Sequence, residues 1–255
     1  MTLSIGYQPL VAFLLVTARA VAWLLVVPPF SNRSAVPTTV TVCVATALGV
    51  LVAPSVPVGT IPLTTAGLVA SLVVQVLSGA AMGFVVYLLL QTVTAAGDLI
   101  TIAGGLSLPP SLDPLSLDQV SVLGQFYEQI AVVLFFISGG YWLLLDGFAR
   151  SFQGPAFTLA STGRVAEVLV VDLATMFTSA LEIAAPILVV LFATEILLAL
   201  LTKAAPQMNV WFLGMPIQIF LALALVAIGV SVLPAYLGGL LSRMLGDSAG
   251  LLGGR

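Results

Sequence analysis

Two apolar blocks of this chain, Leu63–Ala96 and Val165–Leu201, are too long to be simple membrane spans. As continuous helices rising about 1.5 Å per residue, each would exceed about 50 Å, against a hydrocarbon core of about 30 Å. Polar residues interrupt both blocks, namely Gln75 and Gln91 in the first, and Glu167, Asp172, Glu182 and Glu195 in the second. Pro186 predicts a kink in the second block. Since helices of this kind usually pack against protein, we expect much of the chain to contact partner subunits.

Prolines and charges divide the chain into about six apolar blocks. They run approximately Pro9–Val27, Val36–Val52, Leu63–Ala96, Val120–Leu145, Val165–Leu201 and Asn209–Leu233. Hydrophobic residues make up 60% of the chain and charged residues 7%, and the mean hydropathy is +1.22. A soluble domain has roughly 25% charged residues. We therefore predict an all-α membrane protein of long kinked helices and helical hairpins, which lie in lipid or against apolar subunits.

The chain contains no histidine and a single cysteine, Cys43. This excludes Ser-His-Asp and Cys-His catalysis, an internal disulfide framework and any cysteine-based metal site. The net charge is −3 and the seven basic residues are scattered, so no stripe of charge is available for phosphates. We predict no catalytic residue, cofactor, metal or nucleic-acid partner. Because Arg19 interrupts the first block and Pro28-Pro29-Phe30 is a poor cleavage site, we expect that block to be retained.

One helix face in the third block has small or polar residues at every fourth position. They are Ser71, Gln75, Gly79 and Gly83. Small side chains allow two helix backbones to approach closely. The face therefore predicts either packing within the chain or a contact with another subunit, and the motif alone does not choose between them.

The segment 98–121, here called the central connection, is rich in leucine but cannot form a regular helix. Its leucines are Leu106, Leu108, Leu112, Leu115 and Leu117, and its prolines are Pro109, Pro110 and Pro114. Irregular backbone at membrane depth is tolerated only where protein or a water-filled cavity surrounds it. The central connection is thus either a stopper for a passage or a re-entrant segment that fills a gap between helices.

Arg19 is the costliest residue of the first block, at roughly 2.5 kcal/mol or more if it is centred in the bilayer and unpaired. We expect it to snorkel or to form a structural pair. Its possible acidic partners are Glu128, Glu182 and Glu195. The same carboxylates support a rival class of protein, a proton-coupled secondary transporter. However, Glu182 and Glu195 are thirteen positions apart, and at about 100° per residue they face different sides of a straight helix.

A proline-marked turn, KAAPQMNVWFLGMPIQI from Lys203, separates the last two apolar blocks. Pro206 predicts the end of one helix, Gln207 and Asn209 predict turn and capping interactions, and Pro216 lies near the start of the next block. We therefore predict a helical hairpin. Its signature residues are Pro206, Gln207, Met208, Asn209 and Pro216.

Three stretches of the sequence resemble the flagellar biosynthesis protein FliR family, whose members also serve as export-gate subunits of injectisomes. They are RAVAW from Arg19 with VPPFSNRSAVP from Val27, AGGLSLPPSLDPLS from Ala103 with VLGQF from Val122, and APQMNV from Ala205. The sequence departs from the family pattern at two positions. Leu106 replaces a frequent aromatic residue, and Gln218 replaces a usual lysine.

The resemblance implies that the central connection is a plug that helps to keep an export channel closed. Its plug and gating positions would be Gly104, Gly105, Leu106, Leu108, Leu112, Asp113, Pro114 and Leu115. The resemblance also implies a FliP-like part at 1–164, a FliQ-like hairpin at 165–240 and a flexible tail at 241–255.

By the same resemblance, the chain would assemble with FliP-like and FliQ-like subunits and with FlhB-like and FlhA-like export proteins. It would pass unfolded secreted proteins across the bacterial inner membrane, within the flagellar basal body, without enzymatic activity. The run LFFISGG from Leu134 keeps the injectisome alternative open.

Overall fold

The computed structural model describes residues 7–28, 30–31, 36–55, 64–106, 121–152, 162–207, 209–240 and 242, and these form helices and turns without a strand. The helices are α1 (Tyr7–Val26), α2 (Thr38–Val52), α3 (Thr65–Ala103), α4 (Val122–Ile137), α5 (Gly140–Arg150), α6 (Thr162–Ala204) and α7 (Val210–Gly229). One turn of 3-10 helix (Ala53–Ser55) follows α2, and a short helix over 233–240 follows α7. The predicted all-α class is confirmed.

The two longest helices exceed the thickness of a bilayer core. α3 is continuous over 39 residues and α6 over 43 residues, or about 58 and 65 Å. α6 continues through Pro186 without ending. Within the described residues, four segments are long and apolar enough to cross a membrane: Pro9–Val26, Thr65–Ala103, Ala166–Ala204 and Phe212–Gly229. α4 and α5, which are bent where they meet, would add a fifth if they count as one span. The chain is a multi-pass membrane protein.

Two predicted block boundaries are wrong. The block Val120–Leu145 is two helices, because Gly139 adopts a left-handed conformation with φ of 76° that ends the first helix. The third block also ends later than predicted, since the helix continues beyond Ala96 through Gly97 and Asp98 to Ala103. A polar residue near the end of a long helix does not by itself terminate it.

The chain divides into two compact units, and the first comprises Met1–Leu89, Gly139–Leu173 and Leu241–Arg255. In this unit α3 packs against α1 through glycines. A Cβ built on Gly83 would lie 2.7 Å from the carbonyl oxygen of Trp23, and one built on Gly79 would collide with the carbonyl of Arg19. The face chosen from the sequence therefore meets α1 inside this unit. α2 approaches α1 in the same way, at Gly49.

The second unit comprises Leu90–Ser138 and Ala174–Leu240. The end of α3 lies against the start of α4, where a Cβ on Gly97 would be 2.7 Å from the carbonyl oxygen of Leu123. α6 and α7 form the predicted antiparallel hairpin, with Gly214 of α7 against the side chain of Leu198 of α6. Most of the surface of these two helices is uncovered, since only 22% and 17% of their apolar windows are buried.

Larger side chains at the contact between α3 and α1 should destabilise the first unit. We expect Gly79→Leu and Gly83→Leu each to lower the free energy of unfolding by about 1 to 3 kcal/mol, because main-chain atoms of α1 occupy the space required. Gly147→Ala in α5 is the control: its Cβ would have no neighbour within 4 Å, so stability should be unchanged or up to about 1 kcal/mol higher. Thermal unfolding of the purified protein in detergent measures all three, and equal stability would contradict this packing.

Candidate functional site

The first part of the central connection, 98–103, is helical and belongs to α3, contrary to the prediction, and a glycine cap then ends this helix. Gly105 is left-handed, with φ of 68°. Its N–H donates to the carbonyl of Ile102 at 3.3 Å, and the N–H of Leu106 donates to the carbonyl of Thr101 at 3.0 Å. This pair of hydrogen bonds is the Schellman motif, which satisfies the last carbonyls of a helix and requires a residue that tolerates positive φ. The chain therefore leaves α3 in a fixed direction.

The central connection ends at a serine cap that starts α4. The hydroxyl of Ser121 accepts a hydrogen bond from the N–H of Gly124 at 3.0 Å. The same hydroxyl lies 2.8 Å from the hydroxyl of Thr101. Because Thr101 donates its own hydroxyl hydrogen to the carbonyl of Gly97 at 2.8 Å, Ser121 is the donor to Thr101. One chain of hydrogen bonds thus joins the two ends of the central connection.

Close packing surrounds this pair of hydroxyls. A Cβ on Gly124 would collide with the carboxylate of Asp98 and lie 2.8 Å from the hydroxyl of Ser121. The half-buried Asp98 carboxylate therefore lies beside the first turn of α4, where the helix dipole favours negative charge. We call residues 97–101 and 121–124 the loop base. It joins Thr101 to Ser121, which are twenty residues apart in sequence.

The structure describes only the first three of the predicted plug residues. Gly104 is buried, Leu106 is half-buried, and Gly105 is exposed. Leu108, Leu112, Asp113, Pro114, Leu115 and Leu117 lie outside the described residues. The plug role thus remains a prediction. The structure does describe the loop base, which lies at both ends of this segment. Sequence reasoning missed Thr101 and Ser121, although a serine before VLGQF was a visible capping signal.

Arg19 is fully buried in the first unit, where its guanidinium contacts an amide, a hydroxyl and a carbonyl oxygen. Its Nε donates to Oε1 of Gln75 at 2.6 Å, and its Nη1 donates to the carbonyl and hydroxyl oxygens of Ser151 at 3.0 and 2.7 Å. The guanidinium carbon also lies 4.2 Å from the centre of the Phe152 ring, a cation–π distance. Arg19 therefore joins α1 to α3 and to the end of α5. Snorkelling to the interface, one of the two expectations, is wrong for this residue.

The three glutamates considered as partners of Arg19 have exposed side chains. Glu128 lies on α4, and Glu182 and Glu195 lie on α6, all in the second unit. Gln75, which the sequence placed on the small-residue face, is the side chain that contacts Arg19 in the first unit. A buried arginine can be solvated by amide, hydroxyl and carbonyl oxygens as well as by a carboxylate. Sequence spacing alone gave no means of choosing among these groups.

The hairpin turn follows the predicted course with one correction. α6 ends at Ala204, Pro206 and Gln207 form the turn, and Met208 lies outside the described residues. Asn209 occupies the N-cap position, but its side chain makes no capping hydrogen bond, contrary to the prediction. Its carbonyl instead accepts from the N–H of Phe212 at 3.1 Å, so the first turn of α7 is tight. Pro216 lies inside α7.

Within the described part of the chain, no group of three His, Cys, Asp or Glu side chains could hold a metal ion. The site consists instead of a long segment of irregular sequence on a hydrogen-bonded base, beside helices whose apolar surfaces are largely uncovered.

Comparison with known proteins agrees with this geometry. A sequence profile described as bacterial export proteins, family 1, matches residues 10–244. The chain belongs to this family. The matched range contains the loop base, the C-terminal hairpin and all but the first three residues of α1.

Individual members of this export family are moderately similar to the chain. The flagellar biosynthetic protein FliR of Escherichia coli strain K12 is 28% identical over 220 residues, which cover 82% of this chain and 80% of the relative. FliR of Bacillus subtilis strain 168 is 28% identical over 163 residues, or 62% of this chain and 63% of the relative. The surface presentation of antigens protein SpaR of Shigella sonnei is 30% identical over 155 residues, or 60% of each.

Burial of Arg19 beside Gln75 and Ser151 has a measurable consequence. We expect Arg19→Met to lower the free energy of unfolding by about 3 kcal/mol or more, because buried oxygens lose their donors. Gln75→Leu should also lower the free energy of unfolding. The loss in the double variant should be about 1 to 3 kcal/mol smaller than the sum of the two single losses, because the two side chains interact. Arg150→Gln is the control, since its ion pair with Asp146 is exposed and should contribute less than about 1 kcal/mol. Additive effects of Arg19→Met and Gln75→Leu would show that this contact carries no stability.

Proposed function

We propose that this chain is a FliR-like subunit of the flagellar type III protein export gate, and that the central connection closes the gate at rest. The observation that carries the proposal is the match of the export-protein family over residues 10–244. The loop base adds a structural argument, since it presents a leucine- and proline-rich segment from a fixed stem. No bond chemistry is required of such a subunit.

The loop base limits how the gate opens. The hydroxyls of Thr101 and Ser121 hold the ends of α3 and α4 together, and Asp98 and Gly124 leave no free space between them. A movement that parted these helices would break the hydrogen bond between the buried hydroxyl of Thr101 and the half-buried hydroxyl of Ser121, at a cost of about 1 kcal/mol. Displacement of the segment 107–120 on an intact base avoids this cost. The mechanism is therefore steric: the segment leaves the passage and returns to it.

The uncovered helices support assembly with partner subunits. Large aromatic side chains on α6 and α7 are mostly exposed, namely Phe177, Phe192, Phe212 and Phe220. We propose that they pack against FliP-like and FliQ-like subunits and adjoin FlhB-like and FlhA-like proteins in the inner membrane, at the flagellar basal body. Unfolded secreted proteins are the proposed cargo.

The extent of the alignments favours flagellar export over the injectisome. The FliR proteins of Escherichia coli and Pectobacterium carotovorum align with 82% and 88% of this chain. The injectisome relatives SpaR and SsaT align with 60% and 58%. The name of SsaT assigns that relative to a secretion system, and the loss-of-function experiment below separates the two kinds of export.

Loss of the gene should abolish flagellar filaments. We expect a strain without it to be non-motile, with filament protein retained in the cytoplasm, because a gate lacking one subunit has no complete passage. Small-solute uptake should be normal, and the intact gene supplied in trans should restore filaments. Electron microscopy and immunoblotting of secreted protein give the result. Normal filaments with a defect in solute uptake would favour the transporter, and normal filaments with failed effector secretion would favour the injectisome.

Removal of the plug segment should open the passage. We expect deletion of 108–117 to make the membrane several times more permeable to small ions, while the complex still assembles. The deletion keeps Leu106 and Ser121, whose hydrogen bonds form the caps of α3 and α4, so the loop base should survive. Ion efflux from cells that express the gate measures the change, and co-purification with the partner subunits verifies assembly. Unchanged permeability in an assembled complex would contradict the plug.

A further inference from the structure

Two charged residues are buried among those whose side chains the structure describes, and their charges are opposite. Arg19 of α1 is 0% exposed and Asp172 of α6 is 1% exposed. Both belong to the first unit. The other charged side chains described in that unit are exposed, since Asp146 and Arg150 pair with each other at the surface and Glu167 of α6 is uncovered. Arg19 and Asp172 are therefore the charges that the interior of this unit has to accommodate.

Asp172 lies on the buried face of α6. The buried residues of this helix recur at intervals of one, three and four positions, which places them on one face. They are Asp172, Met176, Ser179, Ala180, Ile183, Ala184, Ile187 and Leu191. Val171 and Leu173, the neighbours of Asp172 in sequence, are 54% and 38% exposed. The Asp172 side chain is thus enclosed by protein, whereas the side chains next to it in sequence face outward.

The amide, hydroxyl and carbonyl oxygens that contact Arg19 do not cancel its charge. They belong to Gln75 and Ser151, and such oxygens accept hydrogen bonds without carrying a net charge. Moving an ion out of water is costly unless an opposite charge lies beside it. Arginine and aspartate are therefore rarely fully buried without a charged partner. Within the described part of the first unit, Asp172 is the buried carboxylate that meets this requirement.

We propose that Asp172 is the counter-charge of Arg19, and that their ion pair anchors the start of α6 to α1. The guanidinium then joins four helices of the first unit, because Gln75 belongs to α3 and Ser151 directly follows α5. α6 continues past Leu173 into the second unit, where it forms the hairpin with α7. The pair holds the end of α6 from which this hairpin extends. It is a contact inside the chain, so it does not depend on the proposed function.

An ion pair of this kind makes each charge depend on the other. Removing one partner of a buried pair leaves the other charge uncompensated, whereas removing both leaves no buried charge. A carboxylate that served a different group would instead be lost with the same penalty whether or not Arg19 were present. The two cases differ in the sign of one measured effect.

The first test removes the charge of Asp172 while keeping the shape of its side chain. In the full chain purified in detergent, Asp172→Asn should lower the unfolding temperature by roughly 5 to 15 °C, because the Arg19 guanidinium stays buried without its counter-charge. In a chain that carries Arg19→Met, the same change should leave the unfolding temperature unchanged or raise it, since Asp172 is then the uncompensated charge.

Glu167→Gln is the matched control for this test. It also removes one carboxylate from the part of α6 in the first unit, but Glu167 is exposed. It should shift the unfolding temperature by less than about 2 °C with or without Arg19→Met. An Asp172→Asn chain as stable as the unchanged chain overturns the inference, and so does a loss of equal size in the presence and absence of Arg19.

The second test locates the two side chains in the unchanged protein, so it does not require any variant to fold. Electron cryo-microscopy of the full chain, with the subunits that co-purify with it, should show a carboxylate oxygen of Asp172 within about 4 Å of a guanidinium nitrogen of Arg19. A separation of more than about 6 Å, or a carboxylate of another residue or subunit beside the guanidinium, overturns the inference. Neither test measures export, so failure of this inference is distinguishable from failure of the proposed function.

Discussion

The hydrogen bond between the hydroxyls of Thr101 and Ser121 holds together the two ends of the central connection. It joins positions twenty residues apart, and both hydroxyls are also committed to helix backbone, one at Gly97 and one at Gly124. Parting α3 from α4 would break the hydrogen bond between the two hydroxyls, whereas the bonds to Gly97 and Gly124 each lie within one helix and its flank. The sequence 107–120 is therefore flanked on both sides by hydrogen-bonded backbone.

Composition and the length of the apolar blocks were sufficient to predict the helical class and the two very long helices. The proline-marked turn was sufficient to predict the hairpin, whose first helix ends before Pro206. The missed features depend on atoms that are distant in sequence. The end of α4 depends on the left-handed backbone of Gly139, Asn209 was expected to cap α7 but does not, and Gln75 could not be recognised as a partner of Arg19. Local propensity identifies candidates for such roles, whereas tertiary packing selects among them. The loop base shows the same limit, because a threonine and a serine are unremarkable until the fold brings them together.

The exposed carboxylates explain why such a chain should not stand alone in lipid. Glu182 and Glu195 lie exposed on α6 among apolar side chains such as Phe177 and Phe192. A charged group facing hydrocarbon costs about 2.5 kcal/mol or more, and the first unit avoids this cost by burying Arg19 among amide, hydroxyl and carbonyl oxygens. α6 has no comparable arrangement around its glutamates, which remain exposed within this chain. A position beyond the hydrocarbon core, water in a passage or polar groups of a partner subunit must therefore meet them, and a multi-subunit gate provides the last two.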